Sequence, residues 1–288
     1  MTRFCLPAVL LFVCLTLTPT RPPDVPLRTD LKTPVTDMSL DVQALRTLYL
    51  LRMTTDQLKK VQPIAKEIAA PDRDREKPRV SEDYRRVLVS LCDALAADDE
   101  DKVEQLEDRL SELTDSESPE LDDAVAVTAA ARRRAPEVLQ ILRPRQLGSY
   151  LGSIAEEVGD PQERLVAALA DVRSDKNTDW EQTRDDIAED LGWLLGGLDT
   201  ARAKAVHEQV AALLNRSRRL SDDAFEKQRT ALEKEARALG NGVSSLDVLR
   251  HAVERALARL LSNPRLVPAL EARLRSAKRD VNAEGGGR

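Results

Sequence analysis

His207 and Glu208 open like the first half of a zinc-hydrolase helix, in which two histidines four apart would share one face and ligate the metal. The position four after His207 is Ala211, so the second ligand is missing. The other histidine, His251, stands three before Glu254 and can share a helix face with it. A carboxylate-bridged di-iron bundle instead places the glutamate three before the histidine, and Val248 and Lys204 occupy those places. Carboxylate pairs such as Asp185 and Glu189 recur along the chain at the spacing of weak surface contacts, so general acid–base chemistry has no specific support. Gly148-Ser149-Tyr150-Leu151-Gly152 puts tyrosine where a nucleophile elbow needs serine, and reads as a close helix contact. Neither phosphate-binding glycine pattern occurs. These residues imply no catalytic site, no metal site and no cofactor.

Two basic clusters are the remaining candidates: Arg132-Arg133-Arg134 with Arg143 and Arg145, and Arg216 with Arg218 and Arg219. They lack interleaved aromatics, and the 288-residue chain carries a net charge of −6, which argues for solvated helix faces and against nucleic acid. Such faces could still meet acidic clients. Hydrophobic residues make up 42% of the chain but aromatics only 3%, so the interior must be built from Leu, Val, Ala and Ile, which suits closely packed helices.

The first segment differs in kind. Arg3 precedes an apolar, uncharged run from Phe4 to Leu17. This is shorter than the roughly 20 residues of a membrane span and suits the core of a secretory signal peptide. Thr18 and Thr20 supply small residues for cleavage after Thr20, giving a signal peptide over 1–20 and an exported product, periplasmic or extracellular. Cys14 would serve a lipoprotein reading, but Phe12 and Val13 are bulky for one; an uncleaved leader would be the protein's membrane attachment. Cleavage removes Cys5 and Cys14 and leaves Cys92 alone, a small buried hydrophobe on the apolar side of a helix.

The elements that follow are helices. Residues 21–38 are rich in proline and polar residues and read as a flexible linker, after which Ser39 caps a helix carrying Leu40, Leu45, Leu48 and Leu51. Pro63 should kink or stop the next helix near Gln62. Ser81 caps the longest stripe, Tyr84, Leu88, Leu91, Leu95, Val103, Leu106, Leu110 and Leu113, which suits coiled-coil pairing and is interrupted by Asp98-Asp99-Glu100-Asp101. Ser118-Pro119 starts a helix reaching Leu142, and Asp199, Ser221 and Ser245 cap later ones. The pattern predicts an all-α protein of antiparallel helical hairpins forming one or two bundles. It divides into a helical domain over 39–173, a second over 178–280 and a disordered tail over 281–288.

Two corners in this chain are alike. Met53-Thr54-Thr55-Asp56-Gln57-Leu58 and Leu142-Arg143-Pro144-Arg145-Gln146-Leu147 each follow one helix and start another, matching at the apolar entry, the Gln and the Leu. Thr54 and Gln57 have the spacing of a capping box, with an apolar staple before it. Here the chain resembles the periplasmic LTxxQ-motif family, which includes the Spy-type chaperone. Met53, Thr54 and Gln57 stand at the Leu, Thr and Gln of one motif; Leu142 and Gln146 match a second. Met53 replaces Leu, Arg143 replaces Thr, and the likeness covers the first half of the chain. Beyond it the chain looks like exported helical bacterial proteins. The resemblance implies an all-α cradle that binds unfolded clients without ATP or metal. The expected function is therefore a non-enzymatic interaction protein, chaperone-like or an envelope-stress adaptor. The alternatives are a structural scaffold that forms a homodimer through the Tyr84 to Leu113 stripe, and a carboxylate-based enzyme. N-terminal sequencing of the mature protein should begin at Arg21; a product that keeps Met1 and stays in the cell would contradict export.

Overall fold

A computed structural model describes residues 31–68, 78–117, 119, 121, 124–174 and 179–285. The leader, 1–20, and most of the linker lie outside them. The described residues form twelve α-helices and no strand: α1 Val35–Leu50, α2 Thr55–Ile68, α3 Glu82–Ala97, α4 Glu100–Glu117, α5 Ala129–Ile141, α6 Pro144–Val158, α7 Pro161–Ser174, α8 Trp180–Gly196, α9 Thr200–Arg219, α10 Asp222–Ala238, α11 Ser245–Ser262 and α12 Leu266–Gly285. The fold is all-α.

Most starts follow local chemistry. The side chains of Ser81, Asp199 and Ser221 accept hydrogen bonds from backbone N–H groups of the first turns of α3, α9 and α10. α11 is capped by Ser244 and not Ser245, because Asp247, three residues on, returns its carboxylate to the Ser244 N–H at 3.0 Å, whereas Ser245 would have Val248 there. α1 begins at Val35 and not after Ser39: Val35, Met38, Val42 and Leu45 form one buried stripe, so packing carries the helix back to Pro34 and shortens the expected 21–38 linker. α2 runs through Pro63 without stopping. Its ring faces solvent while Val61, Ile64 and Ala65 on the other face are buried, and that burial outweighs the lost hydrogen bond. At the far end α12 continues to Gly285, so 281–285, expected in the disordered tail, are helical, and 286–288 lie outside the described residues.

The acidic interruption is a corner. Asp98 adopts the left-handed conformation (φ 61°, ψ 32°), and the buried Arg273 of α12 donates to the Leu95 carbonyl at 2.8 Å and to the Asp98 carboxylate at 3.1 Å. The long stripe thus folds on itself, with Tyr84, Leu88, Leu91, Leu95, Val103 and Leu113 buried in one aliphatic core. Residues 119, 121 and 124–128 are not helical. α5 starts only at Ala129, capped by Thr128, whose own N–H donates to Ser262 Oγ at 2.9 Å.

Packing does not divide at 174–177. One core joins α1 to α6 with α11 and α12, and a second joins α7 to α10. α7, before the expected boundary, packs on α9 and α10, while α11 and α12 return to the first half of the chain. Within the α8/α9 hairpin, Gly196 lets the two backbones touch: a Cβ there would lie 2.4 Å from Ala203 Cα. The return of α12 is fastened at its entrance. Arg265 pairs bidentately with the buried Asp41 of α1, both bonds at 2.9 Å, and Asn263 Nδ2 donates to the Leu40 carbonyl at 2.9 Å. Replacing Arg265 by Ala would take the bidentate partner from a buried carboxylate and should lower stability by about 3 kcal/mol. The double variant Asp41→Leu, Arg265→Met should recover most of that loss in urea unfolding; equal losses in both would contradict this role.

Candidate partner-binding groove

The two look-alike corners meet. The Gln57 side-chain oxygen accepts from the Thr54 N–H at 2.9 Å, and Gln146 Oε1 accepts from the Arg143 N–H at 2.9 Å, so each glutamine satisfies an orphan donor at the start of its own helix. Each amide nitrogen then crosses to the other corner. Gln57 Nε2 donates to the Ile141 carbonyl at 2.8 Å, where α5 ends, and Gln146 Nε2 donates to the Arg52 and Leu51 carbonyls at 2.7 and 3.1 Å, just past the end of α1. The amides also bond each other, at 2.8 and 3.0 Å. Met53 and Leu142 are buried beside them, and Thr54 Oγ1 takes the Gln57 N–H in a long bond of 3.4 Å. All five motif residues therefore serve one junction between two helix ends and two helix starts.

Away from that junction, a groove opens between α1, α6, α8 and α11, with a cavity of about 690 Å³. Its apolar wall includes Ala44, Ile154, Leu194, Ala252 and Ala256. Its polar side comes from α8, α7 and α11. Asp190 is held between Arg164, at 2.6 Å, and Arg255. Asp186 and Glu189 on the same face of α8 are exposed and make no salt bridge among the described residues, nor does exposed Arg259 across the groove. Ala124, Val125 and Ala126 of the non-helical segment line the groove as well.

A smaller cavity of about 340 Å³ adjoins it. Val127, Thr128 and Ala129 continue the same segment along this second cavity, and Glu189 lines both. Arg132 stacks over Trp193 at 3.8 Å and donates to Thr200 Oγ1 at 3.0 Å. Burial holds its guanidinium below the usual arginine range, and the charge of Glu189 opposes that. Lys204 and His207 complete the basic end.

His251 Nδ1 lies 2.9 Å from the Leu194 carbonyl at the end of α8, and its ring fills the space beneath Gly197, whose φ of +59° and 2.3 Å clearance for a Cβ both require glycine. It shares no site with Glu254, which is buried and bonded to Arg250 at 2.9 Å. Gly148 and Gly152 make no close helix contact: a Cβ on either would meet open space. The basic clusters are engaged in part within the protein, Arg134 with Glu67 and Glu137, Arg216 with Glu235, and Arg218 over Trp180, while Arg133, Arg143, Arg145 and Arg219 are exposed. Cys92 is buried. No three His, Cys, Asp or Glu side chains among the described residues are arranged to hold a metal.

Compared with known proteins, the chain matches no family model, no curated protein and no solved structure. The groove residues escaped the sequence reading because 124–128 looked like the interior of a helix after Pro119. The alternation Ala-Val-Ala-Val was the available signal. For the paired glutamines, a double-mutant cycle on Gln57→Ala and Gln146→Ala should give a coupling of about 1–2 kcal/mol, because the two amides bond each other directly. Strict additivity in thermal or urea unfolding would contradict the mutual bond.

Proposed function

We propose that this is an exported, non-enzymatic helical protein of the periplasm or cell exterior that holds polypeptide partners, in the manner of an ATP-independent chaperone or an envelope-stress adaptor. The carrying observation is the groove between α1, α6, α8 and α11: an aliphatic wall faces a rim of both charge signs, a surface suited to polypeptide of mixed composition. The two matched corners support the same reading through their resemblance to the LTxxQ-motif family. Their glutamines are structural on this account, fixing where α2 and α6 leave the junction, and the partner is met elsewhere.

The carboxylates in the groove do not favour an enzyme. Asp190 is neutralised by two guanidinium groups, which suits a structural anchor more than a general base. The scaffold alternative is less favoured, since Tyr84, Leu88, Leu91, Leu95, Val103 and Leu113 of its stripe are buried in the core and Leu106 and Leu110 are partly buried against it. No described helix is long and apolar enough to cross a membrane, so attachment would fall to the leader, if that is retained.

The mature protein should slow aggregation of a chemically denatured model enzyme at near-stoichiometric ratios. Val125→Asp puts a charge on the groove wall outside the helices and should weaken partner binding about tenfold while leaving the melting temperature unchanged. Absence of any protection at low and high salt would contradict the reading.

A further inference from the structure

The non-helical segment along the groove is unusual in an all-α protein because its main chain is unpaired among the described residues. Among the described residues, no group donates to or accepts from the backbone of Ala124, Val125, Ala126 or Val127. The helices on either side satisfy their own amides internally and could not bond a partner this way. The segment then enters Thr128 in extended geometry (φ −76°, ψ 151°). It is half-exposed, and its small and β-branched side chains fit a strand better than a helix. The two cavities it lines lie one after the other along it, with Glu189 at their junction, so the available space is a trough that follows a stretch of free backbone. Asp186 and Glu189 offer two exposed carboxylates beside that backbone.

We infer that the trough takes up an extended polypeptide strand, which pairs its main chain with Ala124–Val127 and places a basic side chain toward Asp186 and Glu189. This rests on the polypeptide-holding function proposed above and adds how the partner is gripped. Backbone pairing would accept many sequences, since every residue but proline carries the same donor and acceptor; Asp186 and Glu189 favour a basic side chain beside them, while Arg259 and Lys204 favour acidic ones at their own positions along the trough. A helical partner would bring no free amides to the segment; a second copy of this chain would bring its own Ala124–Val127 and would show itself as dimerisation.

The test uses the full mature chain carrying Trp180→Phe, which leaves Trp193, on the wall of the second cavity, as the sole tryptophan reporter. The probe is a labelled ten-residue peptide alternating valine with lysine or threonine, followed by anisotropy and by Trp193 emission. Saturable binding with a change in Trp193 emission is expected. Because only alternate residues of a strand face its neighbour, N-methylation of one alternating set of peptide amides should weaken binding about tenfold or more while methylation of the other set leaves it nearly intact. Glu189→Lys should weaken the lysine peptide and favour its glutamate counterpart. Indifference to both methylation patterns, equal binding of a peptide locked as a helix, or dimerisation of the chain in place of peptide binding would each overturn the inference. If aggregation is suppressed but no strand peptide binds, strand pairing fails and the holding function stands. If neither is seen, both fail.

Discussion

Helix α11 is the member around which the rest is built. Val248, Ala252, Val253, Leu257, Ala258, Leu260 and Leu261 bury it against α5, α8, α6, α1, α2 and α12, so one helix late in the chain forms part of the core begun by the first. A chain poor in aromatic residues fills such a position with leucine, valine and alanine, whose modest cross-section lets several helices converge on one axis. The groove is a consequence of this convergence. α1, α6 and α8 all approach α11, and where their side chains are short a trough is left between them.

The paired glutamines solve a different problem. Two helices end and two begin at one place, which concentrates unsatisfied carbonyls and N–H groups in a region half removed from water. A primary amide carries both an acceptor and donors, so a glutamine at the third helical position can close its own helix start and still reach across to the opposing helix end. Two of them do so reciprocally. Neither a carboxylate, which lacks the donor, nor a serine, which lacks the reach, could make the same junction.

The helices themselves were legible because their evidence is local. Leucines at three and four residue steps, and Ser81, Asp199 and Ser221 before them, need no knowledge of what lies across the fold. The likeness of the two corners could also be read, though not that they touch. What could not be read was decided at long range. Pro63 stays helical because the opposite face of α2 is buried; α1 starts early because Val35 and Met38 have a core to enter; and α7 packs on α9 and α10, which follow it by many residues in the chain. The binding of Asp190 by Arg164 and Arg255 joins residues from three helices, and no spacing in the sequence records it.

On the proposed function, such a chain would offer partners a trough on a scaffold of helices, with binding free energy drawn from modest apolar burial and from charges at the rim. The most direct measurement of that claim is site-specific photo-cross-linking to a denatured client, with the photoreactive group placed either at Val125 in the groove or at exposed Lys227 on α10. The account predicts client adducts from position 125 and almost none from position 227. Equal yields from the two positions, or adducts from 227 alone, would contradict it.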